Sequence, residues 1–167
     1  MKANPKTNAI RFLERHRVDF ESRVYEVDES DLSAVSVAQK LGIRVEQTVK
    51  TIVLKGNRSG VFVCLLQGHR DVDIKRLASF VPDTMIGTVD AGRLLSLTGY
   101  VRGGVSPFGM TKTYPFFLDR PVLREEWISC SAGKKGIQIW MRSSDLAALT
   151  GATILDFSKD QQPHIKG

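Results

Sequence analysis

Thiol and imidazole groups are scarce in this chain. Its 167 residues hold two cysteines, Cys64 and Cys130, and three histidines, His16, His69 and His164. Two cysteines make no disulfide framework, and neither has a metal-ligand spacing. With the histidines dispersed and no His/Cys cluster, no metal site and no cofactor are expected. Cys64 lies inside the apolar run VFVCLL and reads as a core residue. Cys130 flanks a glycine turn, and an inert thiol is the reading there too. A serine triad lacks its base: His16 ends a charged helix, His164 lies in a polar terminus, and His69 in QGHRDVD reads as a connector. The acidic pairs Asp71/Asp73 and Glu125/Glu126 sit beside turns and read as caps or solvated charge, which leaves paired-carboxylate chemistry without a basis.

Long apolar runs are missing as well. No stretch approaches the ~20 residues of a membrane span, and none has the basic, apolar, small-residue order of a signal peptide. A soluble, cytoplasmic protein is expected. Repeats, linkers and composition shifts are absent, so the length fits one domain. Acidic charge is in deficit: 24 Lys and Arg against 18 Asp and Glu give a net charge of +6. That excess suits an anionic partner. The basic residues are scattered, however, and no basic recognition helix stands out, so DNA is not expected.

What is present alternates between helical and extended signals. NPKTNAIRFLERHR (4–17) predicts a helix with Asn4 as N-cap and Pro5 in its first turn. FESRVYEV (20–27) reads as a strand and SAVSVAQKLG (33–42) as a helix closed by Gly42. TVKTIVLKGNRSGVFVCLLQG (48–68) is the clearest pair, two β-rich runs about a Gly-Asn-Arg-Ser-Gly turn. DVDIKRLASF (71–80) and DAGRLLSLTG (90–99) predict short helices headed by aspartates. Strands follow at 114–119, 126–131 and 137–141, the last two joined at Gly133-Lys134-Lys135-Gly136, and then a helix over 143–151. Residues 158–167 read as a frayed polar tail beyond a domain of residues 1–157. Because strands and helices do not alternate strictly, the fold class is α+β with a mixed sheet.

Two features carry possible chemistry. GYVRGGVSPFG (99–109) places four glycines and a proline in eleven residues. It fails the Walker template, since Met110-Thr111-Lys112 follows the last glycine, and it lacks the dinucleotide-loop spacing. By pattern alone it is an irregular loop for chain reversal. In TVKTIVL, alternation puts Lys50 on the face of Ile52 and Leu54. A lysine there either snorkels to water or points into a cleft, where it would form an anion or oxyanion site.

YE (25–26), VKTIVLK (49–55), SLTGYVRGGVSPFG (96–109) and SAGKKGIQI (131–139), in this order and spacing, resemble the YbaK/EbsC family. Its members are free-standing aminoacyl-tRNA deacylases related to the editing domain of bacterial prolyl-tRNA synthetase. The likeness runs from the first helix to LAALTGA (146–152). It implies a central mixed, barrel-like sheet flanked by short helices, acting in trans on mischarged tRNA, foremost Cys-tRNA(Pro). Prolyl-tRNA synthetase is admitted as a second partner. The family's lysine falls on Lys50 with Thr51 beside it, its pocket tyrosine on Tyr25, its loop glycine on Gly104 and its turn serine on Ser131. Gln138 stands where cysteine-specific members carry an aspartate. A neutral amide there makes no ion pair with a substrate ammonium. The expected mechanism has Lys50 anchoring the aminoacylated 3′-end, with N–H groups of Gly103, Gly104 and Ser106 facing the ester carbonyl. Removal of another small acyl group, such as alanine from tRNA(Pro), and a non-catalytic module binding tRNA or a synthetase remain open alternatives.

Overall fold

The computed structural model describes residues 6–161. Among these described residues, five α-helices and ten strands follow in order: α1 (Asn8–Arg15), β1 (Phe20–Val24), α2 (Ala34–Leu41), β2 (Val49–Gly56), β3 (Gly60–Gln67), β4 (Arg70–Val72), α3 (Ile74–Ala78), β5 (Ile86–Thr88), α4 (Ala91–Thr98), β6 (Phe116–Asp119), β7 (Trp127–Lys134), β8 (Ile137–Arg142), α5 (Ser143–Thr150), β9 (Thr153–Leu155) and β10 (Ser158–Asp160). The class is α+β, as the sequence predicts. The sheets do not close into a barrel, which corrects the barrel-like expectation. They form a five-stranded mixed sheet β5-β2-β3-β6-β9, a three-stranded antiparallel sheet β1-β8-β7 and a two-stranded ribbon β10-β4. A parallel bridge between Thr48 and Ser129 brings the first two sheets together at one edge.

The β2–β3 hairpin forms where the β-branched runs predict it, in register from Val49↔Gln67 to Gly56↔Gly60. Its turn is pinned from outside: the Asp83 carboxylate accepts the N–H groups of Arg58 (2.6 Å) and Ser59 (3.0 Å). Alternation then gives the hairpin two apolar faces. Val49, Val53, Val63 and Leu65 pack with Ile128, Cys130, Ile139 and Met141 of the three-stranded sheet, and with Ala9, Ile10 and Leu13 of α1. Leu54, Phe62, Cys64 and Leu66 face the opposite way, against Leu77 of α3 and Phe157. Each such fully buried side chain contributes about 1.5–3 kcal/mol by leaving water. Both cysteines are buried, and burial pushes each thiol up to about 12, so both are inert core residues.

Several local expectations shift. Helix α1 starts later than read, capped by the Thr7 hydroxyl, which accepts from Ile10 N at 3.2 Å. Asn4 and Pro5 lie outside the described residues. Strand β1 stops at Val24, and residues 71–80 split: Asp71 and Val72 pair in β4, while Asp73 caps α3 by accepting from Arg76 N at 3.2 Å. The tail is not free at its start. Asp119, 1% exposed, accepts the N–H groups of Phe157 (2.9 Å) and Ser158 (3.2 Å) and the Ser158 hydroxyl. That buried anchor lets Ser158–Asp160 pair with β4, with Lys159 opposite Asp71. Residues 162–167 of the expected tail lie outside the described residues.

Candidate active site

The first half of β2, the segment leading into α2, the segment leading into α4, the glycine stretch and the three-stranded sheet surround a cavity of about 710 Å³. Six of the eight residues singled out in the sequence line it: Tyr25, Lys50, Thr51, Gly103, Ser131 and Gln138. They come from five separate stretches of chain, so their meeting is a product of the fold.

Lys50 sits opposite Leu66 in the hairpin and its side chain is 27% exposed. Its Nζ lies 3.5 Å from Asp71 Oδ1 on β4. Burial pulls the Lys50 pKa below its ordinary value, and the neighbouring Asp71 carboxylate pushes it back up. The result is a half-buried cation at the cavity edge, paired with a carboxylate that the β4–β10 ribbon positions. Thr51 Oγ1 and His69 Nδ1, both from lining residues, are buried without a hydrogen-bond partner among the described residues. A polar atom left so costs about 1–3 kcal/mol, a cost a ligand contact would relieve.

Gln138 and Ser131 face each other across β8 and β7. The Ser129 hydroxyl donates to Gln138 Oε1 at 2.9 Å, which engages the amide oxygen and leaves the amide N–H groups as the contacts Gln138 can offer. Ser131 Oγ accepts from Gly133 N at 3.1 Å, at the start of the second glycine turn.

Gly104 and Ser106 lie outside the lining. The Gly104 N–H donates to Val101 O at 2.9 Å and is committed to that turn. A Cβ on Gly104 would come within 3.2 Å of Lys134 Cα and Lys135 N, so its missing side chain lets the two glycine turns touch. Ser106 is fully buried, its Oγ accepting from Phe108 N at 3.3 Å. Of the three expected N–H donors, the structure brings Gly103 alone to the cavity.

Other lining residues escaped the sequence reading. Asp90 was legible only as a helix cap, yet its side chain makes no cap hydrogen bond, and among the described residues it is the one carboxylate lining the cavity. Arg102 lines it from the glycine stretch. Asp71 became Lys50's partner through strand pairing far along the chain, for which no local signal exists. Among the described residues no group of three His, Cys, Asp or Glu side chains could hold a metal ion, and no helix is long and apolar enough to cross a membrane.

The half-buried Lys50 thus shares its cavity with Gly103 of the first glycine stretch, whose neighbour Gly104 packs against the second glycine turn. The chain matches the aminoacyl-tRNA editing domain family over residues 29–149 and belongs to it. Among its relatives is EbsC of Enterococcus faecalis, a candidate Cys-tRNA(Pro)/Cys-tRNA(Cys) deacylase, 35% identical over 157 residues that span 94% of this chain and 96% of that one. The proline–tRNA ligase of Fervidobacterium nodosum is 32% identical over 78 residues, 47% of this chain and 13% of the ligase. A solved structure described as a candidate trans-editing enzyme for prolyl-tRNA synthetase superposes with a TM-score of 0.81 at 25% identity, covering 95% of this chain and 99% of that one.

Proposed function

We propose that this chain deacylates mischarged aminoacyl-tRNA in trans, with Cys-tRNA(Pro) as substrate. The observation that carries the reading is the convergence of Lys50, Thr51, Tyr25, Gly103, Ser131 and Gln138 on one cavity. An aminoacyl ester is already activated, so the task is to position it and stabilise an oxyanion rather than to supply a nucleophile. Lys50 anchors the 3′-end through its phosphate or ester oxygens. The Gly103 N–H and the Gln138 amide face the scissile carbonyl. Gly104 and Ser106 act indirectly, by holding the loop that carries Gly103 against the Lys134-Lys135 turn.

With cysteine attached, the substrate's own thiol gives up its proton and its sulfur attacks the carbonyl carbon. The ester C–O bond breaks, the leaving ribose oxygen takes up the proton the thiol released, and a cyclic thiolactone leaves. With other acyl groups, water attacks in its place and the free amino acid leaves. The substrate ammonium needs an anion, and Gln138 is neutral. Asp90 is the lining carboxylate free of a capping bond, and it fills that role.

Gln138 also leaves a second reading open, removal of alanine from tRNA(Pro), because it stands where cysteine-specific relatives carry an aspartate. A panel of Cys-tRNA(Pro), Ala-tRNA(Pro), Cys-tRNA(Cys) and Pro-tRNA(Pro), with product analysis, tests both. The expected result is fastest clearance of Cys-tRNA(Pro) with thiolactone as product. No turnover of any member, alongside salt-sensitive tRNA binding, would leave a binding module.

A further inference from the structure

The three-stranded sheet has an outer face that the cavity chemistry does not use beyond Ser131 and Gln138. Alternation sends Ile128, Cys130, Ile139 and Met141 inward to the core, so the intervening residues project outward. Among these, Trp127 and Trp140 stack with ring centroids 6.1 Å apart and 14° between planes. The Arg23 guanidinium lies over Trp140, 4.6 Å from the ring centroid, and that of Arg142 lies over Trp127 at 4.8 Å. Four planar groups, two indoles and two guanidinium forks, therefore cover one sheet face.

This stack begins where the cavity ends. Arg23 is paired directly opposite Gln138 in the β1–β8 register, and Trp140 is paired opposite Ser129, whose hydroxyl donates to Gln138. One two-residue strand step, about 7 Å, separates the lining pair Ser131/Gln138 from the pair Ser129/Trp140 on the same face. Arg23 and Arg142 each hold a glutamate, Glu21 at 3.1 Å and Glu126 at 2.8 Å, but those carboxylates are 67% and 72% exposed. Exposed pairs of this kind are worth about 0–1 kcal/mol, so both arginines can turn to another partner.

We infer that this face is a stacking subsite for the unpaired nucleotides that precede the aminoacylated adenosine, an inference that rests on the deacylase reading of the cavity. Bases of a single-stranded RNA end stack on indole and guanidinium planes with little regard to sequence, and arginine adds attraction to the intervening phosphates. An RNA end is the occupant that continuity selects. A strand whose last nucleoside enters the cavity at Gln138 meets Arg23 and Trp140 next. Every base it brings has a flat face to lay on them.

Trp127 and Trp140 are the chain's two tryptophans, so intrinsic fluorescence reads the subsite directly. The probe is an RNA hairpin ending in an unpaired 5′-ACCA-3′, compared with the same hairpin carrying abasic sites in place of both cytidines. The intact hairpin is expected to quench the fluorescence, and the abasic one to bind at least about fivefold more weakly. Trp140→Ala and Arg23→Gln should weaken the intact hairpin by a similar factor, with Trp127 still reporting. Trp140→Phe should restore most of the affinity, which loss of fold would not allow. Equal binding of the two hairpins, binding without a change in fluorescence, or no binding overturns the subsite. So does a fluorescence response to protein concentration or to an added synthetase alone, which would make the face a protein-docking surface. Amino-acid release separates the two failures. Wild-type KM on an aminoacylated abasic hairpin sinks the subsite but leaves the deacylase standing. Stacking-dependent binding with no turnover of any aminoacyl-tRNA does the reverse.

Discussion

Lys50 Nζ lies 3.5 Å from Asp71 Oδ1, across a junction between two different sheets. Burial lowers the Lys50 pKa from its ordinary 10.5, and Asp71 opposes that lowering. Asp71→Asn removes the opposing charge and lets the pKa fall further. The alkaline loss of kcat/KM, where the anchoring cation is neutralised, should therefore move to lower pH in the variant. Stability follows the same sign. Between the lowered pKa and the ordinary one the unfolded chain binds more protons than the native one, so stability rises with pH there, and the interval starts lower in Asp71→Asn. Rates corrected for spontaneous ester hydrolysis, with denaturant titrations at matched pH, check both. An unmoved alkaline limb would show that Lys50 titration does not govern activity.

Asp90 heads α4 without capping it and lines the cavity. As the counter-ion of the substrate ammonium, its loss in Asp90→Asn should raise KM by about tenfold or more, the scale of a hydrogen bond to a charged group. Removing a cap bond that does not exist should leave thermal stability unchanged. Steady-state kinetics beside a melting curve checks this, and an unchanged KM would assign the ammonium elsewhere.

Gly133 has φ +97°, and a Cβ on it would lie 2.5 Å from Tyr100 Cε1. The Tyr100 hydroxyl is itself tied to Phe108 O at 2.5 Å, so the ring has no room to retreat. Gly133→Ala should cost about 1–3 kcal/mol, lowering Tm by roughly 2–4 °C per kcal/mol. Gly87→Ala, with ordinary φ and nothing within 4 Å, is the matched control and should be close to neutral.

How much of this could be read from residues alone depends on how local each cause is. The hairpin declared itself through β-branched runs about a polar turn, and α2, α4 and α5 through the glycines Gly42, Gly99 and Gly151, all left-handed in the structure. Three-residue strands such as β9 and β10 had no such signal. Strand β10 exists because Asp119, 39 residues before Ser158, is buried to receive it. The site divides in the same way. Lys50 was visible as a charge on an apolar face and became assignable through the family motifs, whereas Asp71 and the Trp140 stack depend on strand pairings that no local pattern encodes. Gly104 shows the converse: a conspicuous motif residue whose neighbours turn out to be backbone of the second glycine turn.

Single-turnover deacylation of Cys-tRNA(Pro) by Lys50→Ala tests the central claim most directly. The account predicts a rate lower by on the order of 10²-fold, the scale of losing one preorganised charge at a developing oxyanion, with the fold intact by its melting curve and partial recovery in Lys50→Arg. Deacylation by Lys50→Ala at the wild-type rate would contradict it.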